Sequence, residues 1–347
     1  MMRGTMRALV KTERAPGLTL QEVDIPSVGP HDALVKVAAT SICGTDFHIY
    51  SWDEWSQGRI KPPMIAGHEF AGEVIEVGDE VKVVAPGDMV SAETHIVCHV
   101  CPQCKTGQLH TCINTSIIGV DVDGCFAEYV SIPAENLWIN DPDLDPAVAS
   151  AQEPLGNAVH TALDGPVAAA RIAVTGCGPI GLMSIPVLKK CGAQLVIATE
   201  VNEYRLNLAR ELGADIVINP AEEDPVSIAL EATDGLGVDG VLEMSGSPQA
   251  INQGLKMLRP GGRMSVLGVP PGREVSVDMA NDIVFAGVSV RGIAGRKMWE
   301  TWYQVSGLLA AGLDIEPIIT HRLPLEEFEQ GMELMASGNS GKVVLIP

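Results

Sequence analysis

Positive charge is scarce in this sequence. Its 347 residues carry 23 Lys and Arg against 44 Asp and Glu, a formal net charge of −21. A surface that acidic repels phosphate backbones, so nucleic-acid binding is not expected. An anionic cofactor would have to be held by local backbone amides rather than by the global field. No run of about 18 apolar residues occurs, which excludes a transmembrane helix. The start, MMRGTMRALV, lacks the charged-then-apolar pattern of a signal peptide, so a cytoplasmic location without membrane attachment is expected. Internal repeats and low-complexity tracts are absent, and Pro and Gly are spread out, so no long segment reads as disordered. The length is comfortable for two domains.

The order of the elements points to an α/β chain of two kinds of architecture. The first third reads as short strands broken by Gly and Pro: ALVKVAA (33–39), EVIEVG (73–78) and AEYVSIP (127–133), with a tight turn at Pro86-Gly87-Asp88. This suggests a compact, barrel-like β-rich domain. Near residue 155 apolar strands begin to alternate with helix-length segments. RIAVTG (171–176), QLVIATE (194–200), DIVI (215–218), DGVLEM (239–244), RMSVLG (263–268) and VSVRGI (288–293) give the pattern of a doubly wound parallel sheet. A helical stretch follows Gly295, and the tail ends in the strand KVVLIP (342–347).

Gly176-Cys177-Gly178-Pro179-Ile180-Gly181 is a G-x-G-x-x-G that follows an apolar strand and opens a helix. Glu200 ends the next strand, where an acidic residue would accept from ribose hydroxyls and repel a 2′-phosphate. NAD is therefore expected over NADP, although Arg205 lies where it could hold such a phosphate. Pro186 falls inside the helix that starts near Pro179 and should kink it or end it early.

Cys98-x2-Cys101-x2-Cys104-x7-Cys112 packs four soft thiolates into one short loop. Zinc takes four such ligands tetrahedrally, and a closed set leaves no place for a substrate, so the site should be structural. A nucleic-acid-binding zinc knuckle is the alternative, and the acidic composition disfavours it. Cys43 and the pair His68-Glu69 could supply three ligands with an open fourth position, as a catalytic zinc requires. Spacing alone does not bring them together. Judged singly, Cys43 is more often a small buried hydrophobe and His68 more often a hydrogen-bonded structural histidine. Thr45-Asp46 would also serve as a helix N-terminal cap.

In order, Cys43-Gly44-Thr45-Asp46, Gly67-His68-Glu69, the four-cysteine lobe and the glycine-rich turn resemble the zinc-containing medium-chain dehydrogenases over essentially the whole chain. The resemblance implies a GroES-like catalytic domain, residues 1–154 and 298–347, with the structural zinc lobe at about 95–115. It also implies a Rossmann NAD-binding domain over 155–297 and two zinc ions per subunit. Within that family, CGTDFHIYSWDEWSQGRI (43–60), GNAVHTAL (156–163), EYRLNLAR (203–210), GIAGRKMWETWY (292–303) and IITHRLP (318–324) are most similar to members that oxidise L-threonine at C3. The stretch after Cys43 is the most discriminating. Thr45 and His48 then fall on a proton relay, and Glu153 on an acidic position that either ligates zinc or carries protons. Ile180, Glu200, Arg205, Leu267, Gly268, Val269, Ile293 and Ala294 fall on cofactor contacts, and His95 on a histidine near the substrate pocket. A homotetramer is implied as well. Members of this family often carry Asp at the position of Glu200. The rival readings are a polyol or secondary-alcohol dehydrogenase of the butanediol or sorbitol type, and a non-catalytic protein that keeps the fold.

Overall fold

The computed structural model describes residues 4–272 and 274–347. The chain folds as two compact units. One holds everything up to Glu153 together with Ile319–Pro347, and the other is Pro154–Ile318. The return to the first unit therefore comes at residue 319, later than the 298 expected from the sequence. The helix Glu300–Ala310 belongs to the second unit.

In the first unit the strands Leu137–Ile139, Met89–Ala92, Glu69–Val77, Asp32–Ser41, Lys342–Ile346 and Ile319–Pro324 lie side by side in that order, and Tyr129–Pro133 also pairs with Asp32–Ser41. A smaller sheet joins Thr19–Asp24, Thr5–Lys11 and Met64–Ile65. Ala33, Val35 and Val37 point to one face of their strand, as a period of two requires, and pack on Phe70, Val74, Val90, Val130 and Ile132. The Ala85–Asp88 turn forms as expected, with Gly87 at φ 97° and the Asp88 amide donating to the Ala85 carbonyl at 3.1 Å.

The strand expected at 73–78 starts earlier, at Glu69, and this matters for the site. Ser41 pairs with Glu69, and on its other side Ser41 pairs with Val344. The last strand of the chain is thereby laid on the far side of Asp32–Ser41, one strand away from the strand that carries Glu69.

The second unit is a six-stranded, wholly parallel sheet. Its order is Ile216–Ile218, Leu195–Thr199, Arg171–Thr175, Val238–Glu243, Leu258–Val266, Ser289–Gly292. The strand order reverses between Arg171–Thr175 and Val238–Glu243, the place where such sheets open a crevice for a ligand beyond their carboxyl ends. Val241, Met264, Leu255 and Ile197 form its core with Met257 and Ile251. The helix after the glycine-rich turn runs from Pro179 to Lys190 through Pro186, so the early end expected there does not occur.

Candidate active site and metal centres

Helix α1 (Gly44–Ser51) begins directly after the long central strand of the first unit, and Cys43 is its N-terminal cap. The third residue of the helix, Asp46, turns back so that its Oδ2 accepts from the Cys43 amide at 2.8 Å. The cap pair is thus Cys43 with Asp46 rather than Thr45 with Asp46. It holds Cys43 in extended backbone with its thiol facing His68-Glu69. Ligand atoms of Cys43, His68 and Glu69 all lie within 4.8 Å of one another. Their spacing in sequence gave no such assurance; the sheet register and the cap supply it.

The chemistry of this cluster calls for a cation. His68 and Glu69 are buried, and so is Asp46. Three of their polar atoms have no hydrogen-bond partner among the described residues: Asp46 Oδ1, His68 Nδ1 and Glu69 Oε1. The first two face each other at 3.4 Å, an arrangement in which Nε2 is the ring nitrogen available to a cation. Burial alone would lower the His68 pKa, but the charges of Asp46 and Cys43 outweigh it and hold the imidazole well above its usual value. Glu69 Oε2 is bonded to Ser41 and to the ammonium of Lys342. Burial raises the Glu69 carboxyl, and Lys342 opposes that shift. A half-buried thiol beside a buried imidazole and a buried carboxylate with one unsatisfied oxygen fit a divalent cation with N, O and S ligands.

Thr45 Oγ1 lies 4.0 Å from Cys43 Sγ, on the same helix as His48. The His48 ring is exposed, with Nδ1 2.6 Å from Asp53 Oδ2. Glu153 is buried and accepts from the Thr94 hydroxyl at 3.1 Å. It stands outside the three-residue cluster, yet its charge acts on both Glu69 and Lys342. His95 is tied to the buried Glu93 through Nδ1 at 2.8 Å and stands outside the cluster as well. Asp46 and Lys342 were not singled out from the sequence. Asp46 left a trace, as the third helical residue after Cys43. Lys342 left none, since a lysine at a strand start reads as solvent-exposed.

The four cysteines of the lobe also converge within 4.8 Å. Amides cradle the sulfurs: Cys98 N to Cys112 Sγ and Asn114 N to Cys112 Sγ are both 3.4 Å, and Asn114 Nδ2 reaches Cys98 Sγ at 3.4 Å. Hydrogen bonds, first that of Asn114, bring the Cys98 thiol down to about 6. Desolvation and neighbouring thiols push Cys104 up to about 12. Four sulfurs so close cannot all ionise without a cation among them, so this set also fits a metal.

In the second unit the three glycines of the turn separate by role. Gly176 has φ 89°, and a side chain there would meet Ser245 at 2.7 Å. A side chain at Gly181 would lie 2.0 Å from the Gly176 carbonyl, so only glycine lets the helix close on the turn. At Gly178 nothing lies within 4 Å, and that open face is where a phosphate could approach the helix N-terminus. The Glu200 carboxylate accepts from the amides of Cys177 at 2.8 Å, Val201 at 2.8 Å and Asn202 at 3.0 Å, which locks it to the turn. Leu267 and Gly268 follow the strand Leu258–Val266, with both amides donating to the Glu243 carbonyl, while Val269 is 83% exposed. The Ile293 amide donates to the Val266 carbonyl at 2.8 Å, placing Ile293 and Ala294 just past the edge strand. Ile180 is the second residue of the helix, and Arg205 stands in the first turn of the helix Glu203–Glu211.

Residues 29–141 match the alcohol dehydrogenase GroES-like domain, and residues 179–311 match the zinc-binding dehydrogenase domain. An L-threonine 3-dehydrogenase of Symbiobacterium thermophilum is 58% identical over 100% of this chain and 99% of its own length. Among solved structures, a zinc-binding dehydrogenase of Sinorhizobium meliloti bound to NADP superposes with a TM-score of 0.90 at 32% identity, covering 99% of this chain and all of that one. The 2R,3R-butanediol dehydrogenase of Bacillus subtilis superposes with a TM-score of 0.88 at 28% identity, covering 99% of each chain.

Proposed function

The chain belongs to the zinc-containing medium-chain alcohol dehydrogenases, and on that premise we propose that it oxidises L-threonine at C3 to L-2-amino-3-oxobutanoate with reduction of NAD+. The observation that carries the substrate is the 58% identity, end to end, to a threonine dehydrogenase, against 28% to a butanediol dehydrogenase of the same fold. When bound, zinc would acidify the substrate hydroxyl and the nicotinamide would accept the C3 hydride. Cys43, His68 and Glu69 hold the metal, and Asp46 keeps the His68 ring turned toward it. The Thr45 hydroxyl takes the substrate proton and passes it to His48, whose imidazole releases it to solvent. Glu153 adds negative charge beside the metal and belongs to the proton path.

Gly176, Gly178 and Gly181 seat the pyrophosphate, with Ile180, Leu267, Gly268, Val269, Ile293 and Ala294 along the nicotinamide and Arg205 near the ribose. Glu200 accepts from the ribose hydroxyls and disfavours a 2′-phosphate, so NAD is the preferred dinucleotide. The lobe of Cys98, Cys101, Cys104 and Cys112 holds a second, structural zinc. None of the eight cysteines is paired in a disulfide, which suits a reducing, cytoplasmic setting. No helix among the described residues is long and apolar enough to cross a membrane. We further infer a homotetramer. The edge strand Ser289–Gly292 is exposed, with Val284, Phe285 and Val290 also exposed, and a second copy would cover such an edge.

Zinc-loaded protein is mixed with NAD+ and L-threonine, 2,3-butanediol, sorbitol or L-serine, and NADH absorbance is followed. Strong turnover of L-threonine with little on the polyols is expected. Preference for a polyol would overturn the substrate assignment and leave the zinc and dinucleotide chemistry standing.

A further inference from the structure

The segment after Cys43 contains residues to which the proposed reaction gives no task, notably Asp53 and Trp55. His48 lies three residues beyond Thr45, so the two side chains share a face of α1. A ring as exposed as His48 would ordinarily sample several rotamers and both neutral tautomers. Here Nδ1 is 2.6 Å from Asp53 Oδ2, and the ring meets Trp55 edge-on with centroids 6.2 Å apart.

Asp53 is itself immobilised. It caps helix α2 (Glu54–Arg59), its Oδ1 accepting from the Ser56 amide at 2.9 Å. The reversal between the helices is fixed at Trp52, which adopts the left-handed conformation at φ 58° and donates its amide to the His48 carbonyl at 3.0 Å. Gln57 Nε2 donates to the Trp52 carbonyl at 3.0 Å, and Lys11 Nζ sits 4.7 Å from the Trp52 ring centre. Most surface ion pairs lose much of their energy to the entropy of ordering both partners. In this one the carboxylate is already ordered by its capping role.

An ionised carboxylate can only accept, so the proton in the contact sits on Nδ1 and Nε2 keeps its lone pair. Partial burial raises the Asp53 carboxyl, but hydrogen bonds from the Ser56 amide and from His48 outweigh that and hold it below its ordinary value.

We propose that Asp53 is a positioning residue for proton release, fixing His48 as the Nδ1–H tautomer so that Nε2 is the ring's proton acceptor. The kinetic consequence rests on the dehydrogenase reading; the tautomer does not. The substrate O–H bond breaks, its proton passes through the Thr45 hydroxyl to His48 Nε2, and the imidazolium returns it to solvent. C3=O forms as the C3–H bond breaks, and NAD+, when bound, would supply the hydride acceptor, so charge and atoms balance.

The test compares Asp53→Ser and Asp53→Asn with the wild type. Ser keeps a good helix cap but cannot reach His48, while Asn keeps both the cap and an acceptor oxygen. Nitrogen-15 NMR of imidazole-labelled protein, with His48 assigned from His48→Gln, reads the tautomer directly. Wild type and Asp53→Asn should show Nδ1 protonated in the neutral ring, and Asp53→Ser should shift toward Nε2–H. The kcat for L-threonine should fall about 3- to 10-fold in Asp53→Ser, with KM and zinc content unchanged, and recover in Asp53→Asn; a positioning residue is expected to give less than the roughly 100- to 10,000-fold that the acid–base group itself contributes. Unchanged nitrogen shifts in Asp53→Ser would overturn the proposal, as would a changed tautomer with wild-type kcat. If the wild type does not oxidise L-threonine at all, the substrate assignment fails, and the nitrogen shifts still decide the tautomer.

Discussion

The two clusters of the first unit whose residues fit a metal are built in opposite ways. The four-cysteine lobe draws its ligands from a stretch of fifteen residues, helped by amides of that stretch and its flank. The Cys43, His68 and Glu69 cluster draws on a helix cap and a neighbouring strand, and is buttressed by the last strand of the chain. In the lobe a bound metal would organise the chain, because little apolar core exists there to do so. In the second cluster the chain organises the metal, because the buried sheet exists without it. A lobe that depends on its ion should unfold locally when the ion is lost, whereas a preformed pocket should stay folded and lose only its chemistry.

The sharpest way to break this contrast is to remove one ligand from each cluster. Cys101→Ser should cost the protein its lobe, since a structural zinc site carries on the order of 10 kcal/mol of binding free energy that is also folding free energy. One zinc should disappear from the metal content, and proteolysis should cut within the lobe. Cys43→Ala should likewise lose one zinc and essentially all turnover, with a melting temperature near that of the wild type. If both variants melt alike, the distinction between the two clusters fails.

The buried ion pair of Lys342 with Glu69 gives the next largest effect. Lys342→Met leaves a buried carboxylate without its counter-charge, which costs about 3–5 kcal/mol. Because a bound cation would take over part of that role, urea unfolding should show a larger loss in chelated protein than in zinc-loaded protein. Equal losses would mean that Lys342 supports the sheet and not the metal pocket.

Asp46→Asn is the mildest change. It retains the cap shape but weakens the carboxylate opposite His68 Nδ1. Orienting partners of this kind are worth about 10–100-fold in metal affinity. Competition with a chromogenic chelator should show that loss at one of the two zinc sites, with the four-cysteine lobe unaffected.

What could be read from the sequence depended on how local the determinants are. The four cysteines, the glycine-rich turn and Glu200 lie within one loop or one strand–helix–strand unit, so their spacing carries their geometry. The separate tasks of Gly176 and Gly181 follow from steric contacts that any such turn imposes. Cys43, His68 and Glu69 became a metal set only through resemblance, since twenty-five residues of chain between Cys43 and His68 permit many distances. Pro186 shows the limit of a local rule: of a kink or an early helix end, the early end does not occur, and the helix runs on through a largely buried setting.

The sequence by itself determined the alternation of strand and helix, the closed cysteine set and the dinucleotide turn, because each is written in side chains a few positions apart. Tertiary structure decided that Asp46 faces His68, that Lys342 neutralises Glu69, and where the chain returns to its first unit. Those depend on which strands pair and in what register. Sheet register brings residues from opposite ends of a chain within hydrogen-bonding distance, and burial then makes each of their charges costly unless it is matched.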